Sequence, residues 1–166
     1  MLIEHISLKL RALKALVIDV DRILTDGAVY FNAEGIFAKR FFLHDVDAMK
    51  LIEKKGVRLC IMNTSDDEPT RTWIKNLPFC EYYTDVSNKY SLLKSLSNEW
   101  VLPLEEMSFV SSDIKDLECM SSVGISVCSA DAPKEVISIA TFTSSKNSGH
   151  GVVEEFCSII LDALAT

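Results

Sequence analysis

Two aspartates two positions apart, Asp19 and Asp21, follow the apolar run Ala15-Leu16-Val17-Ile18 and precede the turn signal Thr25-Asp26-Gly27. In an extended segment, side chains two apart point the same way, so the pair can face one ligand. A lone D-x-D is more often a solvated turn; the buried strand ahead and the turn behind make this one far more specific. Carboxylates so placed suit phosphoryl transfer. One can attack phosphorus and form an aspartyl-phosphate, and the other can protonate the leaving oxygen and then activate water. The charge on the transferring group calls for a metal ion and a lysine beside them.

Groups of those kinds follow other apolar runs. Asn63-Thr64-Ser65, behind Val57 to Met62, offers hydrogen bonds to a phosphate oxygen, and equally a helix N-cap. Lys89 opens a predicted helix, where most lysines are simply solvated. Ser111-Ser112-Asp113-Ile114-Lys115-Asp116, behind Met107 to Val110, carries acids that can face a cation, though an N-capping Asp113 explains one of them as well. Each signal is weak alone. Their order is the argument: acid pair, hydroxyl or amide, lysine, acid cluster, each behind its own strand.

The elements that must position these groups alternate along the chain. Leu2, Ile3, Ile6, Leu10 and Leu13 recur at helical spacing, and Ala15 to Ile18 reads as a buried strand. Ala28 to Phe31 and Phe37 to Phe42, joined by Asn32-Ala33-Glu34-Gly35, predict a β-hairpin. Helices are predicted over Asp47 to Lys55, Pro69 to Asn76, Lys89 to Trp100, Asp116 to Val123, Pro133 to Ile139 and Val152 to Leu164. Strands are predicted over Val57 to Met62, Glu81 to Thr84, Met107 to Val110, Ile125 to Cys128 and Thr141 to Thr143. Strand and helix in alternation imply an α/β, Rossmann-like parallel sheet with helices on both faces, the hairpin its only excursion. No linker or repeat divides residues 1–166, so one domain is expected. Sites in such sheets lie beyond the carboxyl ends of the strands, where these groups stand.

Bulk properties agree. At 166 residues, 48% apolar and 25% charged, the chain can build a real core. A net charge of -7 argues against nucleic acid or an anionic membrane as partner, since both need clustered Lys and Arg. It also means that a bound phosphate must be neutralised locally. The five cysteines lie far apart with no C-x-x-C pair, most of them in apolar runs, so no zinc or redox motif is suggested. Buried, reduced thiols and an N-terminus without an apolar leader predict a cytoplasmic protein.

Together these residues resemble the haloacid dehalogenase superfamily. Within it they are similar to the small capless branch containing 3-deoxy-manno-octulosonate 8-phosphate phosphatase and the phosphatase-like C-terminal domain of acylneuraminate cytidylyltransferase. The likeness covers nearly the whole chain. It rests on Asp19-Val20-Asp21-Arg22-Ile23-Leu24-Thr25-Asp26-Gly27, His44-Asp45, Lys89, Ser111 to Asp116, Val123-Gly124 with Ala130-Asp131-Ala132, and Ser148-Gly149-His150-Gly151-Val152-Val153. The resemblance implies that Asp19 is the nucleophile, Asp21 the acid/base and Lys89 the phosphate's lysine, with Asn63, Thr64 and Asp45 against phosphate or substrate. It implies Mg²⁺ on Asp19, the backbone carbonyl of Asp21 and an acid of the fourth motif, Asp113 or Asp116. It further implies a homotetramer in which the hairpin and the Gly-rich segment cover a neighbour's site, and a phosphorylated sugar acid as substrate.

Four departures stand out. Arg22 replaces the family's usual Gly. Asn63-Thr64-Ser65 replaces Thr or Ser followed by Gly-Arg. Ser111-Ser112-Asp113 replaces Gly-Asp-Asp, so the first metal-ligating acid is Ser112, a weaker ligand for a hard cation. His44-Asp45-Val46-Asp47-Ala48 replaces Arg-Asp-Gly-x-Gly. The expectation is therefore a magnesium-dependent sugar-acid phosphatase. Its alternatives are an impaired, phosphatase-like assembly module and a non-hydrolysing phosphate-sugar binder.

Overall fold

The strand Ala15–Ile18 (β1) is buried at every residue, and the sheet is built outward from it. In the computed structural model, which describes residues 2–165, β1 pairs in parallel with Arg58–Met62 (β4) on one side and Met107–Val110 (β6) on the other. Glu81–Tyr83 (β5), Ile125–Cys128 (β7) and Phe142–Thr143 (β8) complete a six-stranded parallel sheet in the order β5-β4-β1-β6-β7-β8. The chain runs outward from β1 through β4 to β5, then crosses back to β6. The strand order therefore reverses between β1 and β6, and a crevice opens beyond their tips.

The period of two in each strand splits the core. Leu16, Ile18, Leu59 and Ile61 face one layer, where α1 (Leu2–Ala12), α2 (Leu43–Glu53), α3 (Glu68–Ile74) and α7 (Val152–Ala165) contribute Leu10, Ile52, Ile74 and Phe156. Ala15, Val17, Cys60 and Met62 face the other. There α4 (Lys89–Trp100), α5 (Leu117–Ser122) and α6 (Lys134–Ile139) supply Leu93, Leu96, Met120 and Val136. Each fully buried large side chain adds roughly 1.5–3 kcal/mol of apolar transfer, and this double core is what holds the strand tips still. The predicted α/β architecture is the observed one, and no cap domain stands over the sheet among the described residues. Met1 and the side chains of Leu2 and Ile3 lie outside those residues.

Element ends differ from expectation where tertiary contacts decide them. The hairpin strands are Tyr30–Asn32 (β2) and Gly35–Ala38 (β3), shorter than the apolar runs, because the Asn32 side chain accepts from Glu34 N at 2.9 Å and tightens the turn. Phe41 leaves the hairpin to stack on Trp73 of α3, ring centroids 4.1 Å apart. α2 starts at Leu43 rather than Asp47, so that Asp45 falls in its first turn. The acid cluster forms a separate short turn, Ile114–Asp116, ahead of α5.

The segment 147–151 lies against the turn that follows β1. Gly149 N donates to Ile23 O at 3.0 Å, and Arg40 Nη1 donates to Gly149 O at 2.9 Å. Gly149 has φ +73, and a Cβ there would stand 2.4 Å from Asp26 N. Gly149→Ala should therefore lower stability by about 1–3 kcal/mol, read as a lower thermal midpoint; an unchanged midpoint would show that this contact does not hold the segment.

Candidate active site

After β1 the chain makes one wide turn, Val20–Leu24, closed by Thr25 N donating to Val20 O at 3.1 Å. Asp19 stands at its mouth, and its Oδ1 accepts from Val20 N at 2.9 Å. Across the crevice Lys89 begins α4, whose first turn is capped by the Asn88 side chain accepting from Ser91 N. Lys89 Nζ donates to Asp19 Oδ1 and to Asp116 Oδ2, both at 2.8 Å. Ser111 Oγ lies 2.7 Å from Asp116 Oδ2 and 3.3 Å from Asp19 Oδ2, so one hydroxyl proton is shared between two carboxylates. All four side chains are buried.

Burial pushes the Asp19 carboxyl up to about 6, against the pull of Lys89, with Asp116 adding to the rise. Burial opposes the Lys89 charge too, but Asp19 and Asp116 outweigh it and hold its pKa above the ordinary lysine value. Two carboxylates thus share one ammonium, and the cluster is one positive charge short. That deficit, two acids and a hydroxyl fit a hydrated dication, which takes one or two protein carboxylates and fills its shell with water and substrate oxygens. A complete protein cage is not present: no three His, Cys, Asp or Glu side chains converge among the described residues.

Asp21 belongs to a different network. Lys39, just past β3, donates from Nζ to Asp21 Oδ1 at 2.8 Å, to Asp67 Oδ2 at 2.6 Å and to Thr70 Oγ1 at 3.2 Å. Ser65 Oγ adds 3.3 Å to Asp21 Oδ2 and 3.0 Å to Asp67 Oδ2. The Lys39 side chain is only 2% exposed. Sequence reasoning missed it, because a lysine beside a hairpin strand carries no mark separating it from a solvated one.

The remaining expected residues divide. Thr64 lines a polar cavity of about 300 Å³ together with Lys89, Lys115 and Asp116. A larger cleft of about 630 Å³ runs under the hairpin, but neither Asp19, Lys89 nor Asp116 lines it. Asn63 is turned inward, its amide donating to Ser65 O and Oγ, and so shapes the loop. Asp45 is wholly buried, and its Oδ1 accepts from Glu154 N at 2.9 Å, which braces the start of α7.

Asp113 has partners of its own, apart from Asp19 and Asp116. Its Oδ1 caps Lys115 N at 3.0 Å and its Oδ2 pairs with Arg22 Nη2 at 3.0 Å. Ser112 points the other way, 2.7 Å from Ser129 Oγ, in a buried hydroxyl chain that continues through Ser148 to Asp131. Arg22 sits at φ 64. A left-handed φ costs a residue with a Cβ roughly 1–2 kcal/mol, whereas an exposed ion pair returns about 0–1 kcal/mol, so the pair alone does not explain the arginine.

Residues 38–156 match the family model of the haloacid dehalogenase-like hydrolases. The chain belongs to that family. Among its relatives, the 3-deoxy-D-manno-octulosonate 8-phosphate phosphatase of Salmonella typhi is 26% identical over 95% of this chain and 84% of its own. The cobalt-bound phosphatase of the same specificity from Haemophilus influenzae superposes with a TM-score of 0.90 at 25% identity, covering 95% of this chain and 92% of that one. A hydrolase of subfamily III A from Legionella pneumophila gives a TM-score of 0.94 at 26% identity, covering 99% and 90%. The match to haloacid dehalogenase-like hydrolases makes the chain a hydrolase, and no helix among its described residues is long and apolar enough to cross a membrane.

Asp45 gives this haloacid dehalogenase-like fold a measurable pH response. Burial pushes its carboxyl up to about 7, with the backbone N–H groups of Glu154 and Val153 pulling the other way. A carboxyl with a raised folded-state pKa adds stability that is complete below its unfolded pKa and lost as pH rises through the folded value. Asp45→Asn, which keeps the cap without the charge, should gain on the order of 1–2 kcal/mol over wild type between pH 5 and pH 8. Urea unfolding at both pH values reads the difference; parallel curves would show that Asp45 does not titrate there.

Proposed function

We propose that the chain is a magnesium-dependent phosphatase hydrolysing a sugar-acid phosphate of the 3-deoxy-manno-octulosonate 8-phosphate type through an aspartyl-phosphate. The observation that carries this reading is Lys89 bridging Asp19 and Asp116 in the crevice where the strand order reverses. The relatives from Salmonella typhi and Haemophilus influenzae bear that activity in their names. The Moraxella catarrhalis phosphatase, which shares the fold at 23% identity, was crystallised with magnesium, phosphate and KDO.

In this reading Asp19 attacks phosphorus from its Oδ2 side, since Oδ1 is occupied by Lys89 and Val20 N. The bond from phosphorus to the sugar oxygen breaks, and Asp21 gives that oxygen its proton. Asp21 then takes a proton from water as the water attacks the aspartyl-phosphate, which restores Asp19 and frees phosphate. Lys89 holds the nucleophile in place and offsets charge on the phosphoryl oxygens. Asp19 and Asp116, with the backbone carbonyl of Asp21, are the residues that would hold Mg²⁺, whose charge steadies the phosphoryl group. Thr64 lines the wall where a phosphoryl oxygen would lie.

The same proposal places residues 1–166 as one domain acting in the cytoplasm as a homotetramer. The five free, buried thiols support a reducing compartment. The hairpin's exposed rings, Phe31 at 74% and Phe37 at 61%, support a subunit contact. One set of observations favours a second reading, a phosphatase-like module with impaired turnover: Ser112 is turned to Ser129 and Asp113 is held by Arg22, so the fourth motif offers Asp116 alone.

Phosphate release from a panel of sugar-acid phosphates, with and without Mg²⁺, decides between them. Release should require Mg²⁺ and fall roughly a thousandfold or more in Asp19→Asn. No release above that variant, from folded and oligomeric protein, would leave the module reading standing.

A further inference from the structure

Arg22 and Asp113 pair between the loop that follows Asp19 and the loop that carries Ser111 and Asp116, and we propose that Arg22 is the site's phosphate-capturing cation, parked on Asp113 until a phosphoryl oxyanion draws it off. The proposal rests on the phosphatase reading for the identity of the ester, but its chemistry is oxyanion recognition alone.

Position comes first. Arg22 lies three residues after Asp19 in the same turn. Asp113 lies two after Ser111, whose hydroxyl sits between Asp19 and Asp116, and Asp113 N donates to that hydroxyl at 3.1 Å. The ion pair therefore joins the two segments that carry the buried acids.

Charge comes next. Lys89 is engaged by two carboxylates, and Lys39 by two more. A phosphate entering this acidic chain therefore meets two ammonium groups that are each already shared between two carboxylates. Arg22 is paired with one carboxylate. A single terminal nitrogen holds Asp113, the side chain is 43% exposed, and the remaining guanidinium N–H groups have no partner among the described residues. That leaves a planar fork, the donor pattern that matches phosphate oxygens.

The loop is also shaped around the arginine. Its backbone is left-handed at φ 64, and its stem passes so close to Gly27 that a Cβ there would lie 2.8 Å from Arg22 Cγ. Asp113 keeps its second task, capping Lys115 N through Oδ1, so releasing the arginine need not undo the turn.

Binding of inorganic phosphate, measured by calorimetry and by thermal shift in the presence of Mg²⁺, tests this without any turnover. Arg22→Ala should bind phosphate roughly tenfold more weakly while keeping the wild-type midpoint without ligand. Arg22→Lys should recover part of the loss, and Asp113→Asn, which frees the arginine, should bind more tightly than wild type. Three results would each overturn the proposal: phosphate binding unchanged or tightened in Arg22→Ala, no phosphate-dependent shift in wild type, or a wild-type response to a free sugar acid but not to phosphate. A chain that binds phosphate through Arg22 yet releases none from any ester would defeat the phosphatase reading and leave this assignment intact.

Discussion

One ammonium between two buried carboxylates is the constraint on which the rest of the structure depends. Lys89 Nζ is within 2.8 Å of both Asp19 and Asp116, and none of the three is open to solvent. Taking charges out of water costs several kcal/mol each, and close pairing only roughly repays it, so such a cluster is a poor source of stability. Its cohesion must come from elsewhere. β1 and β6 are buried at every residue, and the layers on either side interlock with them. The sheet holds the acids in place against their own repulsion, which is why the cluster sits at the strand tips and not on a flexible loop.

A second ammonium solves a different problem. Asp19 and Asp21 are too close in sequence for one lysine to separate their roles, and the fold assigns each its own. Lys39 reaches in from the end of the hairpin to Asp21 and Asp67. Burial works against its charge, yet the two carboxylates hold its pKa above the usual lysine value. Burial likewise works against the Asp67 charge, but Lys39 and Thr70 bring its pKa down to about 2. Both partners stay ionised across the physiological range, so the hairpin is anchored electrostatically at the very residue proposed to move protons. Asp19 in a buried cluster and Asp21 in a more exposed, lysine-tethered one give the proposed nucleophile and the proposed acid/base separate surroundings, as a two-step hydrolysis requires.

Much of this was legible in the sequence because it follows from period and order. Ala15 to Ile18 followed by Asp19 announces a buried strand with an acid at its tip, and the alternation of elements announces the parallel sheet. Lys89 and Asp116 were legible only as members of an ordered set, since each alone looks like a solvated charge. What stayed hidden depends on where side chains turn in three dimensions. Asn63 reads as a phosphate donor but bends back to Ser65. Asp45, which the resemblance sets against the substrate, is wholly buried and braces the start of α7. Lys39 has no distinguishing neighbours in the chain, because Asp21 and Asp67 reach it from other segments.

The departures at the fourth motif are coupled through space. Without an acid at position 112, the hydroxyl of Ser112 joins the chain through Ser129 and Ser148 to Asp131, and so tightens the strand tips against the 147–151 segment. Asp113, the half-buried acid of the motif, meets a cation from the facing loop. Beside the family pattern, then, one acid is missing next to Asp116 and one cation stands on Asp113. For a phosphate ester the arginine offsets the loss of the acid. An acid that recruits a dication and an arginine that meets the anion directly both lower the energy of a phosphoryl group in the crevice, but the arginine does so without a full metal cage. The altered motif and the unusual arginine are then one rearrangement of charge around Asp19, built on a sheet that has not changed.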